Sequence, residues 1–134
     1  MIVLDKIRTL LELRRREAER PVADQEPRLV IDEVAAAWPF THAAVDMSPA
    51  SAGVYFLYRN GRLIYVGLAV SGSGIRQELA SHLAGAHGEC TRNATAFTYE
   101  LARDPRALHQ RYLAAHRARH DGGLPPCNEY QGGR

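Results

Sequence analysis

The first hydrophobic pattern in the chain is helical. Val3, Leu4, Ile7, Leu10 and Leu11 recur at three- and four-residue steps between charged residues, which predicts an amphipathic helix over 2–19 that Pro21 stops. A polar stretch follows, then two short apolar runs (Leu29–Ile31 and Val34–Ala37) and Trp38-Pro39-Phe40, where the sole Trp is expected to anchor the segment onto a core. After a loop at 47–52 the period changes to that of strands. Val54–Tyr58 and Leu63–Val66 flank Arg59-Asn60-Gly61-Arg62, and Asn-Gly is what a type I′ turn demands, so 53–66 reads as a hairpin. Helical spacing returns over 75–84, with Ile75, Leu79 and Leu83 as the stripe and Gly85 as the stop. Residues 95–101 suit a third strand. Asp104-Pro105 then opens a helix that runs to His120 and ends at Gly122-Gly123. The pattern predicts an α/β fold, a small antiparallel sheet with flanking helices, preceded by an N-terminal amphipathic helix. Residues 1–50 read as an N-terminal extension (helix and acidic linker), and 51–134 as the domain proper.

Composition narrows the classes. A chain of 134 residues, 46% hydrophobic and 24% charged, fits one globular domain. No apolar run approaches the roughly 18 residues that span a membrane, and the start lacks the apolar core of a signal peptide. Two cysteines, Cys90 and Cys127, outside any CxxC pair predict no disulfide framework. A cytoplasmic home without membrane attachment is the expectation. The net charge of +2 is distributed unevenly: residues 21–50 carry one basic and five acidic groups, whereas 51–134 carry ten basic and six acidic. The acidic stretch hides a basic excess of +4 that permits a nucleic-acid groove.

Candidate chemistry gathers on the hairpin. Gly53-Val54-Tyr55 on one strand and Tyr65-Val66-Gly67 on the other lie side by side, so two phenols can face one groove beside glycines that let substrate approach. The two tripeptides, the helix Ile75-Arg76-Gln77-Glu78-Leu79 ending in Ser81-His82, and the closing Pro126-Cys127-Asn128 together resemble the GIY-YIG nuclease domain over residues 50–128. The resemblance implies hydrolysis of DNA phosphodiesters with a divalent metal ion, Mg²⁺ or Mn²⁺. Tyr55, Tyr65, Arg76 and His82 are then the catalytic candidates, with Gly53, Gly67 and Arg76 beside the substrate. Asn128 matches a terminal Asn that fixes the chain end.

Two positions depart from that family. Glu78 stands where its helix carries the catalytic Arg, and a two-residue offset turns Arg76 about 200° away from that place. His109 stands where its metal-holding Glu is expected. Three readings follow: a nuclease using Arg76 with His109 or Glu100, a degenerate scaffold that binds nucleic acid or protein without cutting, and a rebuilt site. In the last, Glu78, His82 and His109 converge on Zn²⁺ or another transition metal. Against it stands a plain i, i+4 surface pair for Glu78 and His82. DNA is the expected partner, and a protein or a second copy would dock on helix 2–19. His116 and His120 have a spacing that can chelate metal but read as the polar face of a basic helix; the His87-Gly88-Glu89-Cys90 tract, which has the look of a metal tract, reads as a solvated loop, and Cys127 as a small buried residue.

Overall fold

The computed structural model describes residues 26–27 and 37–130. The helix expected over 2–19, with the docking surface expected on it, and the linker upstream of residue 37 except Glu26 and Pro27 lie outside the described residues. The described residues form nine elements in chain order: β1 (Trp38–Pro39), α1 (His42–Asp46), β2 (Gly53–Arg59), β3 (Arg62–Ala69), α2 (Gly74–Leu83), α3 (Glu89–Arg92), β4 (Ala96–Leu101), α4 (Pro105–Arg119) and α5 (Pro126–Tyr130). The expected mixed α/β architecture with a small antiparallel sheet is present.

Local chemistry explains the boundaries. Asn60 and Gly61 hold φ of 52° and 80°, the left-handed pair that closes a tight hairpin between β2 and β3. Asp104 caps α4, its carboxylate accepting from the Ala107 N–H at 3.2 Å, with Pro105 in the first turn. Thr41 caps α1 in the same way through Ala44 N–H. At the far end of α4, His116 is buried rather than on a solvated face. Its Nδ1–H donates to the Gly123 carbonyl at 2.9 Å, and its ring stacks on His120 at 4.0 Å. The chain after the helix is thus tied back to α4 by a side chain, while the His120 and Gly122 N–H groups meet the Arg117 carbonyl.

The strands form one antiparallel sheet in the order β1-β4-β2-β3. Alternation sends Tyr55 and Leu57 to one face and Val54, Phe56 and Tyr58 to the other. The first face packs under α1, α2 and α5 through Val45, Ile75, Leu79 and Cys127, and the second under α4 through Leu108, Tyr112 and Leu113. The core reaches upstream of residue 51, because Trp38 pairs with Phe97 across β1 and β4, and Phe40 and Val45 are buried. Trp38 stacks on Tyr99 at 5.2 Å and keeps 47% of its surface exposed, so it anchors by one face of its ring.

The two cysteines are not independent. Cys90 on α3 and Cys127 on α5 form a disulfide with Cα atoms 5.7 Å apart, across 37 residues of sequence. The expectation of no disulfide, with Cys90 in a solvated loop, is corrected here. Spacing along the chain carries no information about two short helices meeting in space. A bridge of this kind persists in oxidising surroundings and is rare in the cytosol, so it weighs against the cytoplasmic home expected above. Among the described residues no helix is long and apolar enough to cross a membrane.

Candidate functional site

The first-face side chains of the hairpin meet the second half of α2. Tyr55 and Tyr65, on neighbouring strands, have ring centroids 6.0 Å apart. His82 comes down between them from α2, its centroid 5.5 Å from Tyr55 and 5.0 Å from Tyr65. The Tyr55 hydroxyl and His82 Nε2 are hydrogen-bonded at 2.7 Å, and His82 Nδ1 and the Thr91 hydroxyl at 2.7 Å. His82 has no exposed surface. The plain surface pair with Glu78 is therefore ruled out: three residues after Leu79, His82 lies on the buried stripe of α2.

The turn after α2 adds His87, which the sequence places in a solvated loop. Gly85 adopts φ of 84°, reversing the chain, and Ala86 N–H returns to the Ser81 carbonyl. This brings the His87 ring to 4.2 Å from that of His82. Glu78, one turn before His82, completes the set. One ligand atom from each of Glu78, His82 and His87 lies within 4.8 Å of the others, with Glu78 and His87 half-buried and His82 buried. The only sequence signal was the spacing Glu78-x3-His82-x4-His87, whose second interval is helical only if the helix continues, and Gly85 ends it.

Burial governs the charge states. It pushes the Tyr55 phenol well above its usual value, helped by neighbouring Tyr65 and by the Glu78 carboxylate. It also drives His82 down to about 3, with the nearby His87 adding to the shift. At neutral pH phenol and imidazole are both uncharged, a fixed neutral pair joined by one hydrogen bond.

The remaining expected residues lie elsewhere. His109, on α4, is turned to the edge of β3, where its Nε2–H donates to the Val66 carbonyl at 3.2 Å. Burial lowers its pKa, partly offset by that bond. The convergence of His109 with Glu78 and His82 is thus corrected, since α4 covers the second face of the sheet and α2 the first. Glu100 also belongs to the second face, where it accepts a hydrogen bond from the Tyr112 hydroxyl. Arg76 is exposed, and its Nε–H donates to the Ser48 carbonyl at 2.7 Å, tying α2 to the chain before β2 rather than reaching the tyrosines.

The glycines admit protein, not substrate. A Cβ on Gly67 would lie 2.0 Å from the Tyr55 ring, and one on Gly53 would lie 2.3 Å from the Glu100 carbonyl oxygen of β4. The tripeptides are thus coupled: the glycine of the second makes room for the tyrosine of the first. Asn128 takes the structural part expected of it, accepting from Val66 N–H at 2.8 Å and donating to Val66 C=O at 2.9 Å. A cleft of about 240 Å³ opens between Ala52, Val70 and the start of α4, with Arg103 and Arg106 in its wall. The tyrosines, Glu78, His82 and His87 do not line it.

Compared with family models, with curated proteins and with solved structures, the chain has no match.

Proposed function

We propose that this chain is a nuclease-type domain of GIY-YIG architecture that acts on DNA phosphodiesters. The observation that carries the reading is the convergence of Tyr55, Tyr65 and His82, the three motif residues that the resemblance assigns to one site, within a few ångströms on one sheet face. The basic excess of residues 51–134 supports a polyanionic partner.

In this reading Tyr65, the less deeply buried phenol (8% exposed against 1% for Tyr55), meets the attacking water or a phosphate oxygen. Tyr55 stays a neutral phenol and, hydrogen-bonded to His82, holds its partner's orientation. Thr91 fixes the imidazole from behind. Mg²⁺, the ion implied by the family resemblance, does not fit. That ion wants oxygen ligands, His109 occupies the position of the expected carboxylate, and the carboxylate at Glu78 stands beside two imidazoles. No step is assigned to Mg²⁺.

Cleavage assays on duplex, nicked, branched and single-stranded DNA, over several divalent metals, test the reading. Metal-dependent cutting that falls by about 10²-fold or more in Tyr65→Phe supports it. No cutting at high enzyme concentration overturns it. A second reading, a domain that holds DNA without cutting, is favoured by one observation: Arg76 is bound to Ser48 and Glu78 occupies the place of the transition-state cation. Binding without cleavage, weakening steeply as salt rises, identifies that case.

A further inference from the structure

We propose that Glu78, His82 and His87 form a site for a divalent transition metal of the Zn²⁺ class. The argument begins with the donors. Two imidazoles and one carboxylate suit Zn²⁺, Co²⁺, Ni²⁺ or Fe²⁺ and not the hard ions Mg²⁺ and Ca²⁺. Their ligand atoms already lie within 4.8 Å of one another, so modest side-chain rotation brings them onto a common ion. Sequence placement makes the arrangement durable: Glu78 and His82 sit one turn apart on α2, and the Gly85 reversal delivers His87 to the same side. Three protein ligands leave at least one position of a tetrahedral ion for water or substrate, the pattern of catalytic rather than structural zinc. No thiol competes, because Cys90 and Cys127 are bonded to each other.

His82 sets a condition on binding. Both of its ring nitrogens carry a hydroxyl partner, Tyr55 on Nε2 and Thr91 on Nδ1, so coordination displaces one hydroxyl and keeps the other. The retained hydroxyl orients the ring, as the outer partner of a metal-bound histidine does. The ion also restores a positive charge at the helix position where the resemblance expects a guanidinium. That last role rests on the nuclease reading; the binding itself does not.

Titration of the untagged, chelator-stripped full chain with Zn²⁺ by calorimetry, and with Co²⁺ by visible absorption, tests the site under non-reducing conditions. One ion per chain is expected, with affinity reduced about 10-fold or more in both Glu78→Gln and His87→Ala. His120→Ala, which alters the other stacked histidine pair, leaves it unchanged. Both ligand substitutions are at half-buried positions, and circular dichroism checks that each variant is folded. Absence of saturable binding, binding indifferent to both substitutions, or loss of binding in His120→Ala overturns the proposal. One-to-one zinc binding without DNA cleavage removes the nuclease reading and leaves the site. Cleavage unaffected by Glu78→Gln and His87→Ala, with zinc binding lost in both, removes the ion's part in cutting and leaves both the site and the nuclease.

Discussion

The two faces of the sheet are covered by different means. Over the second face lies one fifteen-residue helix, α4, whose Leu108, Tyr112 and Leu113 pack against Val54, Phe56 and Val66. Phe56 and Tyr112 meet edge to face at 4.7 Å, and the buried Glu100 is satisfied by the Tyr112 hydroxyl. Among the described residues the first face has no helix of that length. Ten-residue α2 shares it with α1, α3 and α5, of five, four and five residues. Helices that short do not hold their own shape in water. Their attachments are correspondingly specific: the disulfide joins α3 to α5, Thr91 of α3 holds His82, and Asn128 of α5 holds Val66. Continuous apolar packing stabilises one face, whereas discrete ties stabilise the other. The candidate chemistry sits on the face built from ties, where buried polar groups already have partners.

Breaking the ties should separate the faces experimentally. Reduction of the Cys90–Cys127 bridge, or its replacement by Ala at both positions, is expected to lower the unfolding free energy by about 4 kcal/mol, from the chain entropy released by a loop of 37 residues. Denaturant unfolding with and without reductant measures this, and a change below about 1 kcal/mol would show that α3 and α5 do not depend on the bridge. On the other face, Leu108→Ala should cost about 3 kcal/mol through the cavity it leaves. Its cost should be the same in reduced and oxidised protein, because distant sites add. Strong coupling between the two would erase the distinction between the faces.

Gly67→Ala probes the tripeptide coupling. The new methyl group must displace the Tyr55 ring, at a cost of about 1–3 kcal/mol, and the aromatic and imidazole resonances of Tyr55 and His82 should move together. Acid provides the finest probe. His82 titrates at 6.5 when unfolded and at about 3 when folded, so below pH 6.5 the unfolded chain binds the proton first. Stability is therefore full above pH 6.5 and falls by about 1.4 kcal/mol per pH unit towards pH 3 from this group alone. The depressed His109 on the other side of the sheet adds in the same sense. His82→Asn should remove the larger part of the slope; an unchanged slope would assign it to carboxylates.

Much of the frame was legible in the sequence, since strong local signals survive folding. Asn60-Gly61 defined the hairpin and Asp104-Pro105 the start of α4, each through backbone chemistry confined to a few residues. Strand pairing placed Tyr55 and Tyr65 on one groove, and the resemblance added His82 to them. What escaped was non-local or too short to have a period. Helices α3 and α5 hold four and five residues, fewer than two turns. The disulfide depends on where those helices land. His87 joins the cluster only through a reversal at Gly85, and reading it needs the three-dimensional course of the turn. The burial of His82 was available and was overlooked: position 82 falls on the stripe set by Ile75 and Leu79.

The bond pair between Asn128 and Val66 has a consequence for the molecule among its own copies. Among the described residues β3 is an end strand of the sheet, and the edge of an eight-residue strand is a template for another chain to pair with. Asn128 presents both a carboxamide oxygen and an amide N–H to Val66, as a neighbouring strand would, and His109 adds a second donor to the same carbonyl. The edge is interrupted midway along its length. Because Cys127 precedes Asn128, the disulfide also holds this plug in place. Reduction is thus expected to loosen the plug, and edge-to-edge association of the reduced chain, read by light scattering, is the outcome to look for.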